Sequence, residues 1–155
     1  GFTNVANGAG DDIDWRTSQG PTATSNTGPS TDYVPGTATG NYLYLEASAC
    51  FGQRAELISP CIDLTTFVNP SLLFGYHMYG ASMGELHIDV YANGNWTNDI
   101  YVRNGSQNTG WLQATVPLSA YMGQVIMLRF RGITGADTYS DMAIDAIRVE
   151  DSGYQ

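Results

Sequence analysis

The sequence predicts an all-β fold, a two-sheet antiparallel β-sandwich of the jelly-roll type. Three observations lead there. Segments with apolar residues at every second position recur down the chain, which is the period of a half-buried strand. Turn signals fall between them, at Gly52, Asn69-Pro70, Gly80 to Gly84, Asn93-Gly94, Asn104-Gly105, Gly123 and Gly135, a spacing that suits a sandwich of short strands. No extended stretch sustains a helical period, and neither heptads nor a repeat between the halves is present.

Taken in order, residues 1–40 are Gly, Ser, Thr, Asn and Pro with scattered apolar anchors, chiefly Phe2, Ile13, Trp15, Tyr33 and Val34. They read as irregular chain pinned at a few points. In "NYLYLEASA", Leu43, Leu45 and Ala47 alternate with Tyr42, Tyr44 and Glu46, so one set faces a core and the other faces out. Further strands are expected at "RAELISP", around Ala55 to Ile58, at "SLLFGYHMYG" from Leu72, and at "GELHIDVYA" from Glu85. The last four are "DIYVR" from Ile100, "WLQATVPL" from Trp111, "QVIMLRFRGI" from Val125 and "DMAIDAIRVE" from Met142. "PLSAYMG" has room for a single helical turn.

A chain of 155 residues fits one domain, 1–155, with a continuous core. Charged residues make up only 14%, and the six basic residues are all arginines against 15 acids, for a net charge of −9. Phosphate binding needs clustered positive charge, so nucleic acid is excluded as a partner, and an acidic membrane is disfavoured by the same argument. A polyanionic glycan is accessible only through a local arginine patch or a bound cation. No apolar window spans a bilayer and no basic, apolar leader opens the chain, so a soluble, secreted, processed monomer is expected. Cys50 and Cys61 are the only cysteines. Two readings stand for them: a disulfide, which a secreted composition favours, or a pair of buried free thiols.

The order of the motifs is specific. "DDIDW" (Asp11 to Trp15), "GPSTDY" (Gly28 to Tyr33), "GNYLYLEAS" (Gly40 to Ser48), "AELISP" (Ala55 to Pro60), "GYHMYGASMGELHI" (Gly75 to Ile88) and "DMAIDAI" (Asp141 to Ile147) follow one another over nearly the whole chain. This resembles the MAM domain, in particular the versions attached to secreted bacterial hydrolases and adhesion proteins. The resemblance implies a jelly roll, a non-catalytic role, a structural cation and a place as one domain of a larger protein. Two departures stand out. The family's opening Phe-Glu strand has no counterpart ahead of "DDIDW", and the usual acid pair near the end is reduced to Asp145 followed by Ala146.

On the strand from Glu85, the residues Glu85, His87 and Asp89 share one side and Leu86, Ile88 and Val90 the other. Glycosidases on related sandwiches carry Glu-x-Asp-x-x-Glu along one strand, with paired carboxyls flanking the scissile bond. Here the register is Glu-x-His-x-Asp without a third acid, so no catalytic residue is assigned. The row is then either a solvated strand face or a ligand-contacting surface. Arg129 and Arg131 oppose Leu128 and Phe130, while Gln113 and Thr115 lie beside Trp111. If these strands are neighbours, the arginines, Trp111 and the Glu85 row form one platform for sugar rings and charged groups. Trp15 reads as a core anchor and Trp96, in the turn "NGNWTND", as an exposed binding residue.

Asp11, Asp12, Asp14, Asp32 and Asp145 all fall within the family motifs, and hard oxygen ligands from separate loops suit Ca²⁺. Asp32 also reads as an Asx-turn residue, and Asp11-Asp12 as a solvated pair. Zinc spacing, a nucleophile elbow and a phosphate loop are all missing from the sequence. The function expected is that of a non-catalytic accessory module, with polysaccharide as first-choice ligand. Protein adhesion or homotypic association, and a structural spacer, are the alternatives.

Overall fold

A computed structural model describes residues 1–152. Two antiparallel sheets pack face to face. The first runs β1 (Thr3–Asn4), β4 (Arg54–Ile58), β10 (Val125–Ile133), β7 (Glu85–Ala92) and β8 (Asn95–Asn104), with β5 (Ile62–Asp63) against the start of β10. The second runs β2 (Arg16–Gln19), β3 (Asn41–Leu45), β11 (Met142–Asp151), β6 (Pro70–Met78) and β9 (Leu112–Pro117). The expected helical turn is a 3-10 turn at Ser119–Tyr121. Among the described residues, no helix is long and apolar enough to cross a membrane.

The alternation in the sequence sets the core. Leu86, Ile88 and Val90 of β7 and Ile126, Leu128 and Phe130 of β10 face Leu72, Phe74, Tyr76 and Met78 of β6, and Met142 and Ile144 of β11. Each such side chain contributes about 1.5–3 kcal/mol of burial. Phe74 meets Phe130 edge to face at 5.3 Å between centroids, joining the sheets at their centre. Trp15 is the anchor it was expected to be: it is 2% exposed and its indole N–H donates to the Phe130 carbonyl at 3.2 Å.

Three short strands escaped the sequence reading. β1, β2 and β5 lie almost wholly exposed, so they carry no apolar alternation to read. β8 begins at Asn95, well before the expected Ile100. The two residues Asn93 and Gly94, both at positive φ (52° and 78°), turn β7 straight into β8, as a two-residue hairpin requires. Tyr42, expected to face out, is buried because residues 20–40 fold back over the second sheet's outer face. Its hydroxyl donates to the Gly20 carbonyl, and Tyr33 packs where a Cβ on Gly75 would stand.

The expected disulfide is corrected. Cys50 lies beside Thr134, whose hydroxyl donates to its carbonyl, whereas Cys61 precedes Ile62, the partner of Ile126. Thr134 and Ile126 are eight residues apart along β10, about 26 Å at roughly 3.3 Å per residue. A bridge needs Cα atoms within about 7 Å. Both thiols are free, Cys61 exposed and Cys50 half-buried.

Candidate functional site

The outer face of the first sheet gathers most of the residues singled out in the sequence. With Leu86, Ile88 and Val90 in the core, Glu85, His87 and Asp89 must point outward. Register then decides their company: Arg129 stands opposite Asp89, and Arg131 stands between His87 and Glu56. On the far side of β7 the ladder is interrupted, since Ile88 pairs with Tyr101 and Val90 with Thr97, leaving Asn98 to Ile100 to face Asp89 alone. This bulge, with Asp99 at a φ of 62°, turns Asn98 and Asp99 onto the same face.

Asp89 is fully buried at the centre. One of its oxygens accepts from Arg129 Nε at 2.7 Å and Arg131 Nε at 3.0 Å, and the other from the Asp99 N–H at 2.8 Å and Arg131 Nη2 at 3.1 Å. Burial alone would raise its pKa, but the hydrogen bonds from Arg131, Asp99 and Arg129 outweigh it and hold the carboxyl below its ordinary range. His87 bridges two carboxylates, with Nε2 2.8 Å from Glu85 and Nδ1 2.8 Å from Asp99. Arg131 Nη2 reaches Asp99 at 2.6 Å and Arg129 Nη2 reaches Asn98 at 2.8 Å.

This arrangement is poor for hydrolysis and good for contact. A glycosidase needs one carboxyl held protonated as an acid, whereas Asp89 is held ionised by two guanidiniums and Glu85 is engaged by His87. What remains is a cross-linked field of charge and amide.

The tryptophans divide differently from the expectation. Trp96 lies in β8, not in a turn, packs against Tyr91 at 5.3 Å, and carries the Arg129 guanidinium 4.1 Å above its ring. It therefore belongs to the Glu85 row. Trp111 does not, because it precedes β9 at the edge of the other sheet. Its N–H donates to the Thr31 carbonyl at 2.9 Å, and His77, Tyr33 and Tyr42 surround it. The single platform that would join Trp111 with Arg129 and Arg131 is thus split between two sheets. Asp99, Asn98, Tyr91 and Glu56 complete the site unforeseen; the Asn-Asp pair just after Trp96 was the only trace of the bulge.

The five aspartates also separate. Asp11, Asp12 and Asp14 lie near the start of β4, where Asp11 accepts from the Glu56 N–H and Asp12 from the Arg54 N–H. Burial, with Asp14 and Asp12 adding to it, raises the pKa of Asp11, whose second oxygen has no partner. Asp32 holds its own loop rather than an Asx turn, accepting from the Gly36 and Thr37 N–H groups four and five residues on, and Asp145 accepts from the N–H groups of Tyr33 and Ala146. Among the described residues, no three His, Cys, Asp or Glu side chains converge as a metal site.

Comparison with known proteins follows the same lines. Residues 3–153 match the MAM domain family, meprin/A5/mu. The chain is 35% identical over 148 residues to MAM domain-containing glycosylphosphatidylinositol anchor protein 1 of Gallus gallus, covering 90% of this chain and 15% of that protein. It therefore spans a small part of that relative's length. Among solved structures, the K1 cleaved adhesin domain of Lys-gingipain from Porphyromonas gingivalis W83 superposes with a TM-score of 0.62 at 21% identity, over 98% of this chain and 91% of that one. TmCBM61, solved in complex with beta-1,4-galactotriose, gives 0.54 at 12% identity over 89% and 88%. At these identities the two structures share a fold with this chain.

Proposed function

This chain belongs to the MAM domain family, and on that premise we propose that it is a non-catalytic extracellular module of the adhesion type, binding another protein through the outer face of the first sheet. The observation that carries this reading is the engagement of Trp96. Arg129 stacks on one face of its indole and Tyr91 flanks it, which leaves less of the ring for a sugar to stack on. Trp15 and Trp111 are committed as well, each with its N–H bonded to a carbonyl. A flat face with an aromatic and arginine centre and a charged rim suits a protein surface. The adhesin likeness and the anchored relative support the same choice by analogy.

Polysaccharide is the second reading, favoured by a pocket of about 430 Å³ under the Pro21–Ser30 loop, walled by hydroxyl side chains with His77, Tyr79 and Thr109. Purified protein applied to arrays of immobilised extracellular proteins and of neutral and anionic polysaccharides separates the two. The adhesion reading expects capture by protein; capture by polysaccharide alone would replace it with the second.

A further inference from the structure

The outer face of the first sheet ends in a crevice of about 490 Å³ that the contacts around Trp96 leave unused. Three chain segments meet there, each through a glycine. A Cβ at Gly84 would run into the Ile133 carbonyl oxygen and one at Gly135 into that of Ser82, while Gly52 donates its N–H to the Gly135 carbonyl at 3.1 Å. The N–H groups of Gly84 and Gly135 both donate to the hydroxyl of Ser140, which is fully buried. Backbone is thus fixed against backbone, and no side chain stands at the glycines to fill the space they border.

The other residues bordering it are of two kinds. Met83, Ile133 and Ala136 are apolar, whereas Glu85 and Asn104 are polar. Register sets Asn104, Glu85 and Ile133 side by side across β8, β7 and β10, on the face that also carries His87 and Arg131. The Glu85 side chain is 39% exposed; its Oε2 is held by His87 at 2.8 Å, and its Oε1 takes no hydrogen bond among the described residues. Ser82 brings a second acid, since its hydroxyl donates to Asp137 at 2.8 Å. Neither Glu85 nor Asp137 pairs with an arginine among the described residues. The crevice combines apolar walls with unbalanced negative charge, in a chain of net charge −9.

We propose that this crevice receives a lysine side chain of the partner protein, its aliphatic stem against Met83, Ile133 and Ala136 and its ammonium on Glu85 Oε1. This rests on the reading that the first sheet's outer face binds protein, and it names what that protein must present. One free carboxylate oxygen suits a point charge, whereas an arginine fork asks for two. The Asn104 side-chain carbonyl is a further acceptor for an ammonium with three donors. Glu85 lies six residues along β7 from Tyr91, the cross-strand neighbour of Trp96, about 20 Å at roughly 3.3 Å per residue. An interface of ordinary size, about 800 Å² on each partner, reaches both.

The test titrates ¹⁵N-labelled protein with acetyl-Gly-Lys-Gly-amide and with its norleucine counterpart, followed by amide NMR in about 0.15 M salt, which screens non-specific attraction to an acidic chain. The lysine peptide is expected to shift the Gly84, Glu85 and Gly135 amides saturably, and the norleucine peptide to leave them in place. Glu85→Gln weakens the lysine peptide at least about threefold. Ala136→Phe, at an exposed position, blocks it, and Glu150→Gln, an exposed acid on the second sheet, leaves it unchanged. No saturable shift in the wild type, an equal response to norleucine, or unchanged affinity in Glu85→Gln overturns the proposal. Capture of array proteins undiminished by acetylation of their lysines overturns it as well. The peptide reads the crevice alone, so its failure leaves protein binding by the Trp96 face to a separate affinity measurement.

Discussion

The guanidinium of Arg129 lies over the indole of Trp96, 4.1 Å from its centroid, although β7 separates their strands. The contact is possible because Asp89, directly opposite Arg129, draws that side chain across the face of β7. A cation over a partly exposed indole such as this is worth about 0.5–1 kcal/mol or somewhat more. It also joins arginine and tryptophan into one element, and Asn98 and Asp99 from the β8 bulge border it.

Asp89→Asn is expected to cost about 3–5 kcal/mol in denaturant unfolding, because it removes the carboxylate that two largely buried guanidiniums share and leaves Arg129 without a counter-charge and Arg131 with Asp99 alone. The same pairing makes Asp89 sensitive to acid. Its folded pKa lies below the unfolded value, so its stabilisation is present above about pH 4 and is lost as pH falls through the folded value. The Asn variant lacks that acid-dependent part, and a difference profile between the two proteins should show it.

Cys50 and Cys61 should titrate as two thiols in unfolded, unreduced protein, and reductant should leave the melting temperature unchanged. In the folded protein Cys61 should react first, since it is the exposed one of the pair. A single disulfide-bonded species would contradict the register of β10 with β5.

His77 is buried with Nε2 on the Thr109 carbonyl and Nδ1 unpartnered, and burial lowers its pKa to about 4 despite that carbonyl. The unfolded chain therefore takes up a proton before the folded one does, so this residue's contribution to stability falls as pH drops from about 6.5 toward 4. Proton NMR should show the His77 ring still neutral at about pH 5.5, well below the ordinary histidine value.

Gly84→Ala should destabilise by about 3 kcal/mol or more, measured by chemical denaturation. A Cβ there would sit 1.9 Å from the Ile133 carbonyl oxygen, and backbone cannot yield as a side chain would.

The sequence was most legible where one face of a strand is buried. Leu86, Ile88 and Val90 announced both their own core role and the outward row of Glu85, His87 and Asp89. It was least legible in two kinds of place. Exposed edges such as β1 and β2 carry no hydrophobic period, and the bulge that delivers Asp99 to His87 depends on a backbone conformation that side-chain spacing does not encode. Which strands are neighbours was the third gap: Arg129 and Trp111 look alike as outward strand residues, yet pairing places them on different sheets. The cysteines failed for the same reason, being near in sequence and separated by the length of β10.

The central claim is that the face centred on Trp96, and not the pocket near Tyr79, is where this module binds. The most direct measurement compares the affinity of wild type, Trp96→Ala and Tyr79→Ala for the same captured protein ligand, after circular dichroism and thermal melts have shown all three folded. The account predicts at least a tenfold loss, about 1.4 kcal/mol, for Trp96→Ala and near-wild-type affinity for Tyr79→Ala. Unchanged affinity in Trp96→Ala together with a loss in Tyr79→Ala would contradict it and move the binding site to the Pro21–Ser30 loop.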